Sequence, residues 1–408
     1  MYAQRVRILR QGGRSYVKLP KVDPSTYLLL SGALGGQPLL PRMHTLVWAQ
    51  PRLLSIEVLS FVSPSLRVCE FKCGTSGRAM VVSSGNPIPS FESLFVQVAA
   101  NAPHLQELSI RSAKTPCSVV PFVACRDLCK VRIETPSIEG LDRSVEFSTL
   151  ASLEHLTELV IKPVPSLAET TPPAQGFNTL ESLTLEGDCA SIGHVLAMIG
   201  VPASPPPSIR KLSLAITLCT PTEARDLMDV VQTRLHSSLE TIKVGVTLHL
   251  QDVTLSCLDV FGPLLHATHI RDAYLKVAVN PTAHAGVASW PDEDIHALAS
   301  AWRSLVSLKP TWRNAPLAQG CPALRRLHLS ELALQWEEDD ALTMAHGLEA
   351  LLLGNKVALF LDRLFPSLDP SAKAYIKIGN KDVWYEALGL IRLLQEARSY
   401  ERERMTTS

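Results

Sequence analysis

Leu105-Gln-Glu-Leu108-Ser-Ile110, Leu128-Cys-Lys-Val131-Arg-Ile133, Leu156-Thr-Glu-Leu159-Val-Ile161 and Leu180-Glu-Ser-Leu183-Thr-Leu185 repeat one pattern, apolar-x-x-apolar-x-apolar. The last two apolar residues of each copy stand two apart, the spacing at which strand side chains point the same way, so each copy predicts a short strand with one buried face. Working outward, Met43–Trp48 and Leu66–Phe71 precede these copies, and Ile209–Leu214, Leu239–Val244, Ile270–Leu275, Leu324–Leu329 and Leu348–Leu353 follow them. Degenerate copies at Val6–Gln11 and Leu305–Pro310 fill wider gaps. Most successive starts are within or near about 20–29 residues of one another, the period of a leucine-rich repeat. Spacing also screens out chance matches. Phe91-Glu-Ser-Leu94-Phe-Val96 fits the pattern but crowds Leu105, and Phe91, Leu94, Phe95, Val98 and Ala102 recur at helical steps, so it predicts an amphipathic helix.

Composition agrees with a repeat protein. The 408 residues include 62 leucines, and 46% of the chain is hydrophobic, which excludes whole-chain disorder and a disulfide-stapled miniprotein. Lys and Arg number 39 against 39 Asp and Glu, so the chain lacks the cationic surplus of a general nucleic-acid or acidic-membrane binder. The N-terminal Met1–Arg7 is polar and basic with no apolar stretch behind it, and no uninterrupted apolar run approaches the roughly 20 residues of a membrane span. Nine cysteines without regular spacing fit reduced thiols. A soluble protein of the cytoplasm or nucleus is expected.

Between strands the chain must return along a second layer. Thr220-Pro221-Thr222-Glu223 reads as a capping box with proline in the first turn, opening a helix over Ala224–Leu235. Pro291-Asp292-Glu293-Asp294 places acids at the start of a helix over Ile295–Leu305, where the dipole favours them. Strand and helix in alternation predict an α/β leucine-rich-repeat solenoid, with a curved parallel sheet on the concave side and helices on the convex side. Residues 1–365 are expected to form about 12–13 irregular repeats, and 366–408 a helical cap, built on Val383, Trp384, Ala387, Leu388, Ile391 and Leu394, with a charged tail; the alternative for this helix is a partner-binding one. Gly32–Pro41, Cys73–Pro89, Pro163–Pro173 and Val201–Pro207 read as loops.

Tyr2–Arg7, Leu59-Ser-Phe-Val-Ser-Pro-Ser-Leu66, Ala102-Pro-His-Leu-Gln-Glu-Leu108, Gly176-Phe-Asn-Thr-Leu-Glu-Ser-Leu183, Ala299–Leu305 and Gly320-Cys-Pro-Ala-Leu-Arg-Arg-Leu327 recur in an order that resembles the leucine-rich-repeat region of the fungal F-box protein family. The resemblance implies a substrate receptor. In that family an F-box binds the Skp-type adaptor of a cullin-RING ubiquitin ligase, and the repeats hold a target protein. An F-box would precede the first repeat, whereas this chain starts at what resembles the end of the linker to it. The nearest look-alike, Pro51–Phe61, runs straight into the strand at Leu66 and reads as the helix of a repeat. A Skp-type partner is therefore expected only if an upstream F-box exists. The alternative is a stand-alone repeat protein, or a truncated remnant, without a ligase role.

Catalytic patterns do not assemble, and no enzyme activity, cofactor or metal is expected. Gly32-Ala-Leu-Gly35-Gly36 lacks the lysine of a phosphate loop, and Cys73-Gly-Thr-Ser76-Gly77 has the wrong spacing for a nucleophile elbow. Cys69/Cys73 and Cys125/Cys129 are the pairs able to close a zinc site, but Cys69 occupies a core position. His104, His155 and His328 fall in different repeats, and Glu337–Asp340 reads as a solvated run. What remains is the strand face. Residues beside the core positions point outward, so Glu70, Lys72, Glu107, Arg111, Arg132, Glu134, Glu158, Lys162, Glu186, Lys211, Lys243, Asp272, Tyr274, Lys276, Arg326 and His328 are the candidate protein-binding residues, with Tyr274 as anchor. The target itself is not legible.

Overall fold

Each repeat opens with a turn that its own sequence prescribes. In Ala102-Pro-His-Leu105 the Leu105 N–H donates to the Ala102 carbonyl at 3.2 Å, and Ser63-Pro-Ser-Leu66 closes the same way at 3.0 Å. Proline at the second position suits this turn because its fixed φ is the one required there. Leu128 to Cys125, Leu180 to Phe177 and Leu305 to Trp302 repeat the bond at 3.1, 3.2 and 3.0 Å. The first apolar residue of the pattern is thus a turn residue, driven into the core ahead of the strand: Leu66, Leu105, Leu156 and Leu180 are each wholly buried.

The computed structural model describes residues 3–11, 22–50, 56–73, 91–112, 118–134, 144–164, 176–199, 208–249, 255–279, 288–289, 292–310 and 326–327. They belong to two units, residues 1–215 and 216–408. In the first, the chain runs through β1 (Ile8–Arg10), α1 (Pro24–Ala33), β2 (Thr45–Gln50), β3 (Val68–Cys73), α2 (Glu92–Asn101), β4 (Glu107–Ser112), β5 (Lys130–Glu134), α3 (Ser144–Ala151), β6 (Glu158–Lys162), β7 (Ser182–Gly187) and α4 (Cys189–Met198). Strands β1 to β7 pair in chain order, each parallel to the next. Strand β8 (Lys211–Cys219) begins in the first unit and ends in the second. There follow α5 (Pro221–Leu235), β9 (Thr241–Leu248), β10 (Leu255–Ser256), α6 (Cys257–Phe261), β11 (Asp272–Val279), β12 (Ala288–Ser289), α7 (Asp292–Ala301), β13 (Ser307–Pro310) and β14 (Arg326–Leu327). In the second unit β9, β11, β13 and β14 pair in that order, all parallel, and β10 pairs with β12. Both degenerate copies of the pattern, at Val6 and Leu305, contribute genuine strands.

One hydrogen-bond device sets the register. The carbonyl just before each strand accepts two successive N–H groups from the following repeat. Gln106 O takes those of Cys129 and Lys130 at 2.9 and 3.0 Å, and Cys129 O those of Thr157 and Glu158 at 2.8 and 3.1 Å. Thr157 O serves Glu181 and Ser182 at 2.9 and 3.0 Å, and in the second unit Glu240 O serves Arg271 and Asp272 at 2.8 and 3.2 Å. Hydroxyls reinforce it: Ser65 Oγ donates to Met43 O at 2.9 Å and Thr179 Oγ1 to Leu156 O at 3.0 Å, from the same turn position in each repeat.

With register fixed, the inward residues stack as two ladders. Leu46, Cys69, Leu108, Val131, Leu159 and Leu183 form one, and Trp48, Phe71, Ile110, Ile133, Ile161 and Leu185 the other. All twelve are buried. The return elements cover this face. Phe95 of α2 meets Phe71 of β3 at 5.2 Å between ring centroids and Phe122 at 5.4 Å. Repeat length decides what the return element is. Strands starting at Thr45 and Val68, or at Glu107 and Lys130, are 23 residues apart and are joined through single 3-10 turns, Glu57–Ser60 and Val120–Ala124. The 30 residues from Lys211 to Thr241 accommodate the 15-residue α5.

Several expectations change at this point. The repeat element in Pro51–Phe61 is a 3-10 turn, because its repeat is too short for a helix, and Pro51–Ser55 lie outside the described residues. Gly32 belongs to α1, and the turn proper is made by Gly35 and Gly36 at φ +62° and +78°. Helix α5 has both bonds of the expected capping box, Glu223 N–H to Thr220 Oγ1 and Thr220 N–H to Glu223. Helix α7 starts at Asp292 and ends at Ala301, so Trp302 and Leu305 belong to the next turn. Asp294, in the first turn of α7, is buried and accepts from Ser256 Oγ and from Leu258 N–H, tying this helix to the start of α6. The repeat at Leu348, the cap over 366–408 and the loops at 74–89, 165–173 and 201–207 lie outside the described residues.

Phe95→Ala should cost about 3–5 kcal/mol because it empties the contact between sheet and return layer. Val96→Ala, next to it on the exposed side of α2, should stay within about 0.5 kcal/mol. Urea denaturation of both variants checks the assignment of faces; equal losses would refute it.

Candidate protein-binding face

Along a strand, alternate residues face away from the ladders, and parallel register lines those residues up as rungs across neighbouring strands. In the first unit one rung is Val68, Glu107, Lys130, Glu158 and Ser182; the next is Glu70, Ser109, Arg132, Val160 and Thr184; the third is Lys72, Arg111, Glu134 and Lys162. Eight of the residues chosen from sequence stand in these rungs, and Glu186 follows Thr184 on the same side of β7.

They are engaged with each other. Lys72 Nζ lies 3.5 Å from Glu70, Arg111 Nε is 3.6 Å from Glu70 and 3.3 Å from Glu134, and Arg132 Nε donates to Glu134 Oε1 at 2.8 Å. Lys130 pairs with Glu107 at 2.9 Å, and Lys162 with Glu186 at 3.7 Å. Lys130 is held above the usual lysine pKa, first by its hydrogen bond to Glu107 and further by the charge of Glu158 across the strand. Lys130 was not among the candidates, although its parity with Arg132 and Glu134 was available and Glu107 and Glu158, level with it, were chosen. Five cations (Lys72, Arg111, Lys130, Arg132, Lys162) meet five carboxylates (Glu70, Glu107, Glu134, Glu158, Glu186), so these charges cancel over the face as a whole. Val160 points outward yet is buried between its neighbours, and Ser109 Oγ is buried without a hydrogen-bond partner among the described residues.

The second unit presents a different face. Thr241, Lys243, Gly245 and Thr247 of β9 stand level with Asp272, Tyr274, Lys276 and Ala278 of β11. Lys243, Asp272 and Lys276 are exposed and Tyr274 is half-buried. Neither lysine forms an ion pair among the described residues. Lys211, which belongs to the first unit, is exposed at the start of β8. The Arg326 backbone is in β14, its side chain is outside the described residues, and so is His328.

Strand β8 carries a feature the pattern did not reveal. It has nine residues where β9 has eight, and its alternation breaks at Thr217 and Leu218, which are both exposed before Cys219 turns inward again. Leu218 sits at φ +42° and is 64% exposed. An extra residue in one strand is a bulge, and here it turns an apolar side chain to solvent.

The cysteines and histidines do not assemble into a centre. No group of three or more potential metal ligands occurs among the described residues. Cys69 lies in an inward ladder, Cys73 is buried on the same side of β3, and Cys129 Sγ donates to Gln106 O at 3.3 Å. Burial raises the Cys69 and Cys257 thiols and pushes Cys125 up to about 11, with Asp127 adding to the last. His104 pairs with Asp127 at 2.9 Å on the exposed turn row, where His155 also lies.

No protein-family model matches the sequence, and no curated protein matches it. Among solved structures, the chain is similar to one in the TLR13-ssRNA13 complex, at 14% identity and TM-score 0.39, covering 81% of this chain and 41% of that one. It is also similar to one in the LRIM1/APL1C complex, at 11% identity and TM-score 0.30, covering 96% and 66%. The chain spans less than half of the first neighbour's length. The parallel register, the buried ladders and the repeating turns make this an α/β leucine-rich-repeat fold.

Two outcomes test the electrostatics. Removing the shared acceptor with Glu134→Gln should cost under about 1 kcal/mol, because these pairs are only partly buried and water screens them, and the loss should vanish in about 1 M salt. Thermal denaturation at two salt concentrations measures it. For the thiols, the folded value of Cys125 is raised above its ordinary 9.0, so the unfolded chain releases that proton first. Stability is then full below about pH 9 and falls as pH rises toward 11, with Cys69 and Cys257 acting in the same direction. A urea midpoint unchanged between pH 8 and about pH 10.5 would contradict this.

Proposed function

We propose that the chain is a protein-binding scaffold that holds a target on its outward strand face, in the manner of the substrate-recognition repeats of an F-box subunit of a cullin-RING ubiquitin ligase. One observation supports the binding role above others. The return elements cover the inward side of the strands, while the outward side presents charged and aromatic side chains at a spacing set by the strands, a platform on which a partner can read a pattern. On this reading 1–365 is one repeat array closed by a cap over 366–408. The link to ubiquitination rests on the recurring turn-and-strand segments quoted above. The turns Ser63–Leu66, Ala102–Leu105 and Phe177–Leu180 among them form a regular structural feature of the fold. Targets are protein surfaces with mixed charge, and no cofactor takes part.

The test is co-purification of the full-length gene product with a Skp-type adaptor and a cullin. Recovery of a stoichiometric complex that also brings down a ubiquitinated target is the expected result. A full-length product that binds a target but no adaptor would leave a stand-alone repeat scaffold.

A further inference from the structure

The two outward faces differ in whether their charges are already answered. In the first unit every cation of the rungs lies beside a carboxylate of the same surface, so a partner must break those pairs to use them. In the second unit Lys243 and Lys276 are exposed and without ion pairs among the described residues, on adjacent strands and on either side of Tyr274: Lys243 is level with it and Lys276 is two residues further along its own strand. Beyond them the floor is made of small side chains, Thr247 level with Ala278. Leu218 closes that end. The His249 N–H donates to the Cys219 carbonyl at 2.9 Å, which in a parallel pair sets Cys219 opposite Leu248 and so Leu218 beside Thr247. A leucine at positive φ is unfavourable by ordinary backbone sterics, and exposing it gains nothing in the free chain.

We propose that this surface, bounded by Lys243, Tyr274, Lys276 and Leu218, is a docking site for an extended acidic segment of a partner protein, one that carries Asp or Glu side chains flanking an apolar residue. The apolar side chain settles on the small floor of Thr247 and Ala278 between Leu218 and the Tyr274 ring. Its carboxylates meet Lys243 and Lys276, neither of which forms an ion pair among the described residues, while the acid of the same face, Asp272, stands one rung back, level with Thr241. Charge complementarity selects the partner class, since a basic segment would find two unpaired cations there, and the first unit's neutral face offers no comparable preference. The inference rests on the protein-binding reading above and names the partner chemistry for one part of that face.

Fluorescence anisotropy on the full chain at low salt tests it, with labelled twelve-residue peptides as probes. These are an Asp/Glu-rich peptide with a central leucine, the same peptide with lysines for the acids, the same with serine for the leucine, and an oligouridylate of equal length. The acidic leucine peptide should bind, and the basic peptide should not. The double variant Lys243→Glu, Lys276→Glu should weaken binding at least about tenfold, and Leu218→Asn about threefold or more. Asparagine accepts positive φ, so Leu218→Asn should leave the thermal midpoint equal or higher, separating lost contact from lost fold. Equal binding of acidic and basic peptides, no binding of the acidic peptide to about 1 mM, preference for the oligouridylate, or wild-type affinity in the variants would each overturn the proposal. Binding abolished by Glu70→Lys with Glu134→Lys but not by the second-unit variants would overturn it too, while leaving the scaffold reading in place.

Discussion

The fold depends on a single carbonyl per repeat. By accepting two N–H groups from the next repeat, the residue just before each strand holds successive strands at one offset, and every other regularity follows. A slip of one residue would swap the inward and outward sets, placing Leu108 and Ile110 in water and Glu107 and Arg111 in the core. Because the bonds are main-chain, the device does not care which side chain it uses: Gln106, Cys129, Thr157, Glu181 and Glu240 all serve. This is why the turn and strand can be regular while the repeat lengths are not. Variation is absorbed in the return layer, which shrinks to a 3-10 turn or grows to a four-turn helix.

The outward face inherits its geometry from the same lock. Parallel register sets outward residues in rungs, so charge order along a rung is a consequence of which residue each repeat carries at that position. In the first unit this gives charges of both signs that pair with one another; in the second, lysines beside an aromatic ring. A zero net charge thus hides two different surfaces. The buried thiols and the Ser256–Asp294–Leu258 contact belong to the packing side of the molecule and stabilise it without offering a site.

Much of this was legible residue by residue. Leu108 and Ile110 announce a strand because apolar residues two apart can share only one buried face, and nine of the outward candidates in the first unit fall where parity put them. Thr220 and Glu223 announce a helix start because the cap is local chemistry between residues three apart. Lys130 was passed over although Glu107 and Glu158, level with it, follow from the same parity, whereas Leu218 escaped because a bulge is defined against the partner strand. The burial of Asp294 was not legible for a related reason: it depends on a serine from another repeat that packs against it.

Local spacing therefore carried the fold class, the strand positions and the side each residue faces, since all three follow from backbone periodicity within a few residues. Which charges neutralise one another, which lysines are left open, and which strand holds an extra residue depend on register between segments 20–40 residues apart. That register is set by hydrogen bonds between repeats, which no single stretch of sequence contains.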